Sequence, residues 1–187
     1  MALPNAKSLY DLLRELPEGV TGEILQGGLY AEPRPAGPHA LAESSLMANL
    51  GPPFHFGRGG PGGWWILVEP EIHFVRDREV VVPDLAGWRR ERMPKIPEDQ
   101  RFLIVPDWVC EILSPGTRSK DREIKMPLYA KRGVSFLWLV DPDKRTLEAY
   151  ELASGGWRLL GLFEETQEVR IPPFDAIAFQ LADLWMV

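Results

Sequence analysis

Leu9, Leu12, Leu13 and Leu16 recur at helical spacing, which predicts a short amphipathic helix over residues 9–16 that Pro17 and Gly19 close. The stretch VTGEILQGGLYAEP alternates apolar and polar positions and predicts a hairpin turning at Gly27-Gly28. RPAGP reads as a loop, and His39 to Leu50 as a helix with Leu41, Met47, Ala48 and Leu50 on its mixed face. GPPFHFGRGGPGG is dense in breakers and reads as a mobile loop. Strands dominate after it. WWILVEPEIHFV predicts one strand, kinked or placed at an edge by Pro70. REVVVPDLAGW predicts a second and RFLIVPDWVCEIL a third, joined by the polar RRERMPKIPEDQ.

Ser119 to Arg132 reads as a helix ending at Gly133, a residue suited to a C-cap, with Pro127 requiring a kink or a late start. VSFLWLVD is almost continuously apolar, as a strand covered on both faces would be. RTLEAYEL and GWRLLGLF pair across Ser154-Gly155-Gly156, and the tail holds one more short strand and a helical end. This order predicts an α/β or α+β protein, a mixed sheet flanked by helices. No boundary breaks the pattern, so residues 1–187 are expected to form one domain, with 1–18 an N-terminal helical extension.

Against that pattern one residue is out of place. In WVCEIL, Val109, Glu111 and Leu113 share one strand face and Trp108, Cys110 and Ile112 the other. Both faces are otherwise apolar, so Glu111 points inward, where an unpaired carboxylate costs several kcal/mol. It needs a metal, a cation, or a raised pKa. Upstream, Val80, Val82, Asp84 and Ala86 fall on one face, and Asp84 sits just after Pro83 where the apolar run ends. If the two strands are neighbours their backbones lie roughly 4.8 Å apart, and a hard cation such as Mg²⁺ between the two acids would relieve their repulsion. Lys125 lies in the helix after the strand of Glu111, four residues from Asp121. Six basic residues between Arg118 and Arg132, against Asp121 and Glu123, make the clearest positive stretch in the chain.

Composition narrows the function classes. A formal net charge of −6 argues against a protein that coats nucleic acid indiscriminately, while leaving room for a local basic groove. Cys110 is the only cysteine, so no internal disulfide forms. His39, His55 and His73 lack the paired spacing of a zinc site. No apolar run approaches a membrane span, and the first residues carry charge too early for a secretory signal; a cytoplasmic protein is expected.

Asp84 after Pro83, Glu111 within WVCEILSP, then Asp121, Lys125, Tyr129, Gly133 and LWLVDP together resemble the Uma-type "putative restriction endonuclease" family of the PD-(D/E)XK nuclease superfamily. The resemblance begins at GEILQGGLYAEP, with His39 following, and covers most of the chain. It implies a mixed sheet flanked by helices and Mg²⁺- or Mn²⁺-dependent hydrolysis of DNA. Asp84 and Glu111 would match the metal-binding acids, Glu23 a further acid, and His39 a family histidine. The sequence departs from the superfamily motif at Leu113, where a lysine is usual; Lys125 from the following helix would substitute. Arg118, Lys120 and Arg122 would meet the DNA backbone, with His39 also facing substrate.

Plainer readings stand beside these. Glu111 could form an interior ion pair with Lys125 or an arginine, Asp84 could cap a turn, Lys125 could be a solvated helix lysine, and Tyr129 could serve packing. As a whole the chain could be a nuclease fold that binds DNA or a protein with its chemistry lost, or a purely oligomeric protein. A homodimer through C-terminal edge strands is expected.

Overall fold

The computed structural model describes residues 6–33 and 36–185. Residues 1–5 of the expected N-terminal extension and Arg34-Pro35 of the expected loop lie outside the described residues. Helix α1, Leu9–Arg14, opens with a reciprocal cap in which Ser8 and Asp11 satisfy each other's backbone N–H. Strands β1, Val20–Leu25, and β2, Gly28–Pro33, form the expected hairpin. Its turn is Gln26-Gly27, one residue earlier than expected, with both residues left-handed at φ 51° and 77°.

Helix α2, Gly37–Leu50, runs on into a wide π turn, Gly51–His55. The expected mobile loop is therefore helical at its start, and buried Pro53 and Phe54 anchor it. A larger correction concerns the long strands. WWILVEPEIHFV divides into β3, Trp64–Val68, and β4, Ile72–Val75; REVVVPDLAGW divides into β5, Glu79–Val81, and β6, Leu85–Arg89. β3 pairs with β6, and β4 with β5, in different sheets. Pro70 and Pro83 mark the two crossings, as residues that cannot donate to a ladder do. The expected common face of Val80, Val82, Asp84 and Ala86 dissolves with this break: Val80 packs with α1, whereas Ala86 joins a different core.

Only Phe102 of RFLIV bridges a strand, beside Ile72; the strand proper is β7, Trp108–Ile112. A helical segment follows as α3, Arg118–Lys120, a π turn at Asp121–Lys125, and α4, Met126–Arg132, closed by Gly133 at φ 81°. The π turn sits just before Pro127 and is how the helix accommodates a residue without an N–H. Next come β8, Phe136–Asp141, and the long hairpin β9, Thr146–Ala153, with β10, Gly156–Glu164. Short β11, Glu168–Val169, pairs with β12, Phe179–Gln180, before a closing 3₁₀ turn at Leu181–Leu184.

Among the described residues the main sheet has the order β10-β9-β8-β7-β6-β3, and a second sheet the order β2-β1-β5-β4. β7 and β8 run parallel, joined by the 118–132 helical segment. This is an α+β architecture of mixed sheets flanked by a few helices. The main sheet is covered on both faces. Trp108, Cys110 and Ile112 pack with Trp138, Phe174 and α2, while Val109 and Leu113 pack with Leu137, Leu139 and Tyr129 of α4. Trp108 and Trp138 meet edge to face at 5.3 Å, and truncating either would cost about 3–5 kcal/mol. The second sheet brings β1 beside β5 at Ile24 and Val80, so Glu23 approaches the main sheet where the chain crosses between the two.

Candidate active site

The seam between the sheets opens as a cleft of about 370 Å³. Six carboxylates line it (Glu23, Glu32, Glu69, Asp84, Glu111 and Asp121) against two lysines, Lys120 and Lys125. They come from the β1–β2 hairpin, the two crossings between sheets, β7 and the 118–132 helical segment. Asp84 stands at the crossing from β5 to β6. Leu85 pairs with Cys110, so continuing that ladder one step sets Asp84 opposite Glu111. The sequence expectation that these two acids are neighbours is thus met in the backbone register.

Glu111 is 2 % exposed. Lys125 Nζ donates to it at 2.8 Å, and Tyr129 Oη donates to its other oxygen. Lys125 and Tyr129 are four residues apart across the end of the π turn, so one helical face delivers both donors. Lys125 is itself buried and also lies 3.0 Å from Glu23 Oε1 and 3.7 Å from Asp121 Oδ1. Burial would strip its charge, yet Glu111 and Glu23 outweigh that and hold its pKa well above the ordinary lysine range. Burial pushes the Glu111 pKa up; Lys125 pulls against it, but Asp121, Asp84 and Glu23 add to the rise. Asp121 is raised by its burial too, with Lys125 opposing. Glu23 is shifted the other way. Burial alone would raise it, but Lys125 and Lys120 bring it below the usual carboxylate range.

Asp84 is held differently. Ile112 N–H donates to Oδ2 at 2.5 Å, and His39 Nε2 stands 3.0 Å from Oδ1. Burial would lower the His39 pKa; the hydrogen bond and charge of Asp84, with Glu43, raise it overall. Glu43 is one turn along α2 from His39. Burial and the charges of Asp84 and Glu69 push it up to about 7. One Glu43 oxygen and His39 Nδ1 are buried with no hydrogen-bond partner.

Asp84, Glu111, Lys125, Glu23 and His39 therefore converge on one cleft. The expected basic surface does not stand free. Lys120 lies 2.6 Å from Glu23 and 3.1 Å from Glu32, Arg118 pairs with Asp141 and Asp143, and Arg122 pairs with Glu148. Sequence spacing showed those cations but not the carboxylates of β2, β8 and β9 that reach them. Tyr129 packs in the core as expected and also donates to Glu111, a role for which its i, i+4 relation to Lys125 was the available signal. Glu43 was missed; it lies four residues after His39 and beside the buried Ala42 on α2.

The two acids do not form a ready-made cage for the expected ion. Among the described residues no three His, Cys, Asp or Glu side chains stand close enough to hold a metal as they are. Asp84 and Glu111 instead each carry their own protein donors. The donor set nonetheless fits Mg²⁺, which takes one or two carboxylates and fills its remaining positions with water and phosphate. Oxygen ligands in excess of cations, and an orphaned Glu43 oxygen beside Asp84, are the chemistry such an ion meets.

No match is found among curated proteins. Among solved structures, the crystal structure of "a putative nuclease belonging to DUF820" from Anabaena variabilis superposes with a TM-score of 0.72 at 24% identity, covering 97% of this chain and 98% of that one; the likeness is one of fold. The family profile described as "Putative restriction endonuclease", Uma2, matches residues 8–182, and with nearly the whole chain inside that match, the protein belongs to the Uma2 family.

Proposed function

We infer that the protein is a metal-dependent endonuclease that hydrolyses DNA phosphodiester bonds, acting as a single domain over residues 1–187. The observation that carries this reading is the cleft itself. Asp84, just before β6, stands opposite Glu111 of β7 in the continued register, a buried lysine lies 2.8 Å from Glu111, and acids outnumber lysines six to two. Perturbed titrating groups gathered in a cleft are what catalytic sites require.

Mg²⁺ or Mn²⁺ held by Asp84 and Glu111 would polarise the scissile phosphate and acidify a bound water. The chain's own residues do the rest. His39 and Ile112 N–H fix both oxygens of Asp84, and Lys125 and Tyr129 fix those of Glu111, so the two acids are oriented before any ligand arrives. Lys125 stays charged in a dry setting, where a cation acts strongly on negative charge developing at phosphorus-bound oxygen. It takes the place of the lysine absent at Leu113. Glu23, kept ionised by the two lysines, is a proton acceptor at the cleft wall. Lys120, Arg118 and Arg122 reach DNA phosphates by exchanging their present carboxylate partners.

A plasmid-nicking assay with Mg²⁺ or Mn²⁺ tests this. Wild-type protein should nick, chelator should stop it, and Asp84→Ala should abolish it. Nicking that persists in Asp84→Ala, or never occurs in either metal, removes the proposal. The second reading, a nuclease fold that binds DNA or a protein without cutting, draws on Glu111 already having both oxygens occupied. It calls for DNA binding that is indifferent to chelator. No helix among the described residues is long and apolar enough to cross a membrane.

A further inference from the structure

Strand β10 ends the main sheet, and no other described strand pairs with its outer side. It is nine residues long, and two of its leucines, Leu159 and Leu162, are 53% and 51% exposed. A long uncovered edge with apolar side chains is a template for another strand. The backbone phase says which residues present that edge. Ser154 and Gly155, at φ 50° and 81°, make a two-residue turn in which Ala153 and Gly156 are the hydrogen-bonded pair. Alternation then points the N–H and C=O of Trp157 and Leu159 outward. From the other end, Glu165 N–H donates inward to Arg145, so Glu164 and Leu162 also face out. The two phases are reconciled by the bulge between Leu159 and Gly161, where Leu160 is the extra residue. Glu164 N–H is taken by Gln167, which leaves Trp157, Leu159 and Leu162 as the free outward positions.

We propose that a second copy of this chain pairs with β10 through β10 itself, antiparallel, about a two-fold axis between Leu160 and Gly161. The occupant is argued from self-complementarity. In that register Leu159 of one protomer lies opposite Leu162 of the other, and the same pair recurs on the far side of the axis. Outward backbone groups meet outward backbone groups, and four exposed leucine side chains cover one another. The two bulges meet at the axis, where neither strand needs a regular ladder. An isologous contact of this kind closes on itself and stops at two copies. The helical segment 118–132 lies beside this edge, since Trp157 Nε1 donates to Met126 O.

The register is tested by single-cysteine variants. Opposed residues of a hydrogen-bonded pair have Cα atoms about 5.5 Å apart, within disulfide range. Residues three positions out of register are roughly 10 Å apart and cannot bridge. Leu159→Cys mixed with Leu162→Cys under mild oxidation should give a disulfide-linked dimer, and neither variant alone should; the native Cys110 is buried. Sedimentation of wild-type protein across a concentration series should show a monomer–dimer equilibrium that Leu162→Asp shifts to monomer. A wild-type monomer throughout, a dimer that survives Leu162→Asp, or cross-links no more frequent in the mixture than in the separate variants would each overturn the proposal. Should Leu162→Asp fail to fold, the cysteine mixture decides alone.

Discussion

The two sides of the cleft treat their carboxylates in opposite ways. On the helical side, Glu23, Glu111 and Asp121 share Lys125, Lys120 lies between Glu23 and Glu32, and Glu111 also has Tyr129; each carboxylate there has a cation within reach. On the α2 side, Asp84, Glu43 and Glu69 have one histidine among them, and Glu43 leaves an oxygen unpartnered. The difference separates carboxylates that the protein pairs with cations from carboxylates it leaves short of them. A matched interior network adds little net stability and loses a great deal when one partner goes. An unmatched acid group costs stability.

The largest break in this contrast is Lys125→Met. It strands Glu111 and Glu23 without their shared cation and should cost about 3–5 kcal/mol of unfolding free energy in denaturant titration. A loss within about 1 kcal/mol would mean that the carboxylates are protonated, and so not a matched network. Tyr129→Phe removes one donor to a buried carboxylate and keeps the ring's packing. It should cost about 1.5–3 kcal/mol, less than the lysine change, by the same titration.

On the other side the sign reverses. A carboxyl whose folded pKa is raised is most stabilising while protonated, and its contribution falls as pH rises past the unfolded value toward the folded one. For Glu43 that window runs from about 4.5 to about 7. Glu43→Gln should therefore stabilise the protein above pH 7 by about 1–2 kcal/mol, after allowance for its partial exposure, and should flatten the stability profile across that window. A profile of unchanged slope would remove Glu43 from the unmatched group. The smallest effect belongs to Arg122→Gln, whose partner Glu148 is half-buried at the network's edge. A change under about 1 kcal/mol is expected in the melting curve.

Much of this was legible in the sequence. Glu111 stood out because strand alternation put a charge on an apolar face, and the reading needed no tertiary information. The neighbouring position of Asp84 followed from two apolar runs and held in the register. What failed was continuity. Pro70 was read as a kink or edge within one strand and Pro83 was passed over inside another, whereas each is a crossing between sheets, and no local pattern distinguishes the two. The cations of 118–122 were read as a free surface because their partners, Glu32, Asp141 and Glu148, are distant in the chain. Glu43 passed unnoticed because a helix glutamate is ordinarily solvated; only the approach of Asp84 and Glu69 makes it unusual.

The unmatched side invites a cation, and that is measured most directly by titrating Mn²⁺ into the metal-free protein by calorimetry, beside Asp84→Asn and Glu111→Gln. The expected result is a binding isotherm for wild-type protein that disappears in Asp84→Asn and weakens or disappears in Glu111→Gln. Wild-type protein that takes up no ion, or an isotherm that both substitutions leave unchanged, would contradict a divalent cation at this cleft and the hydrolytic chemistry drawn from it.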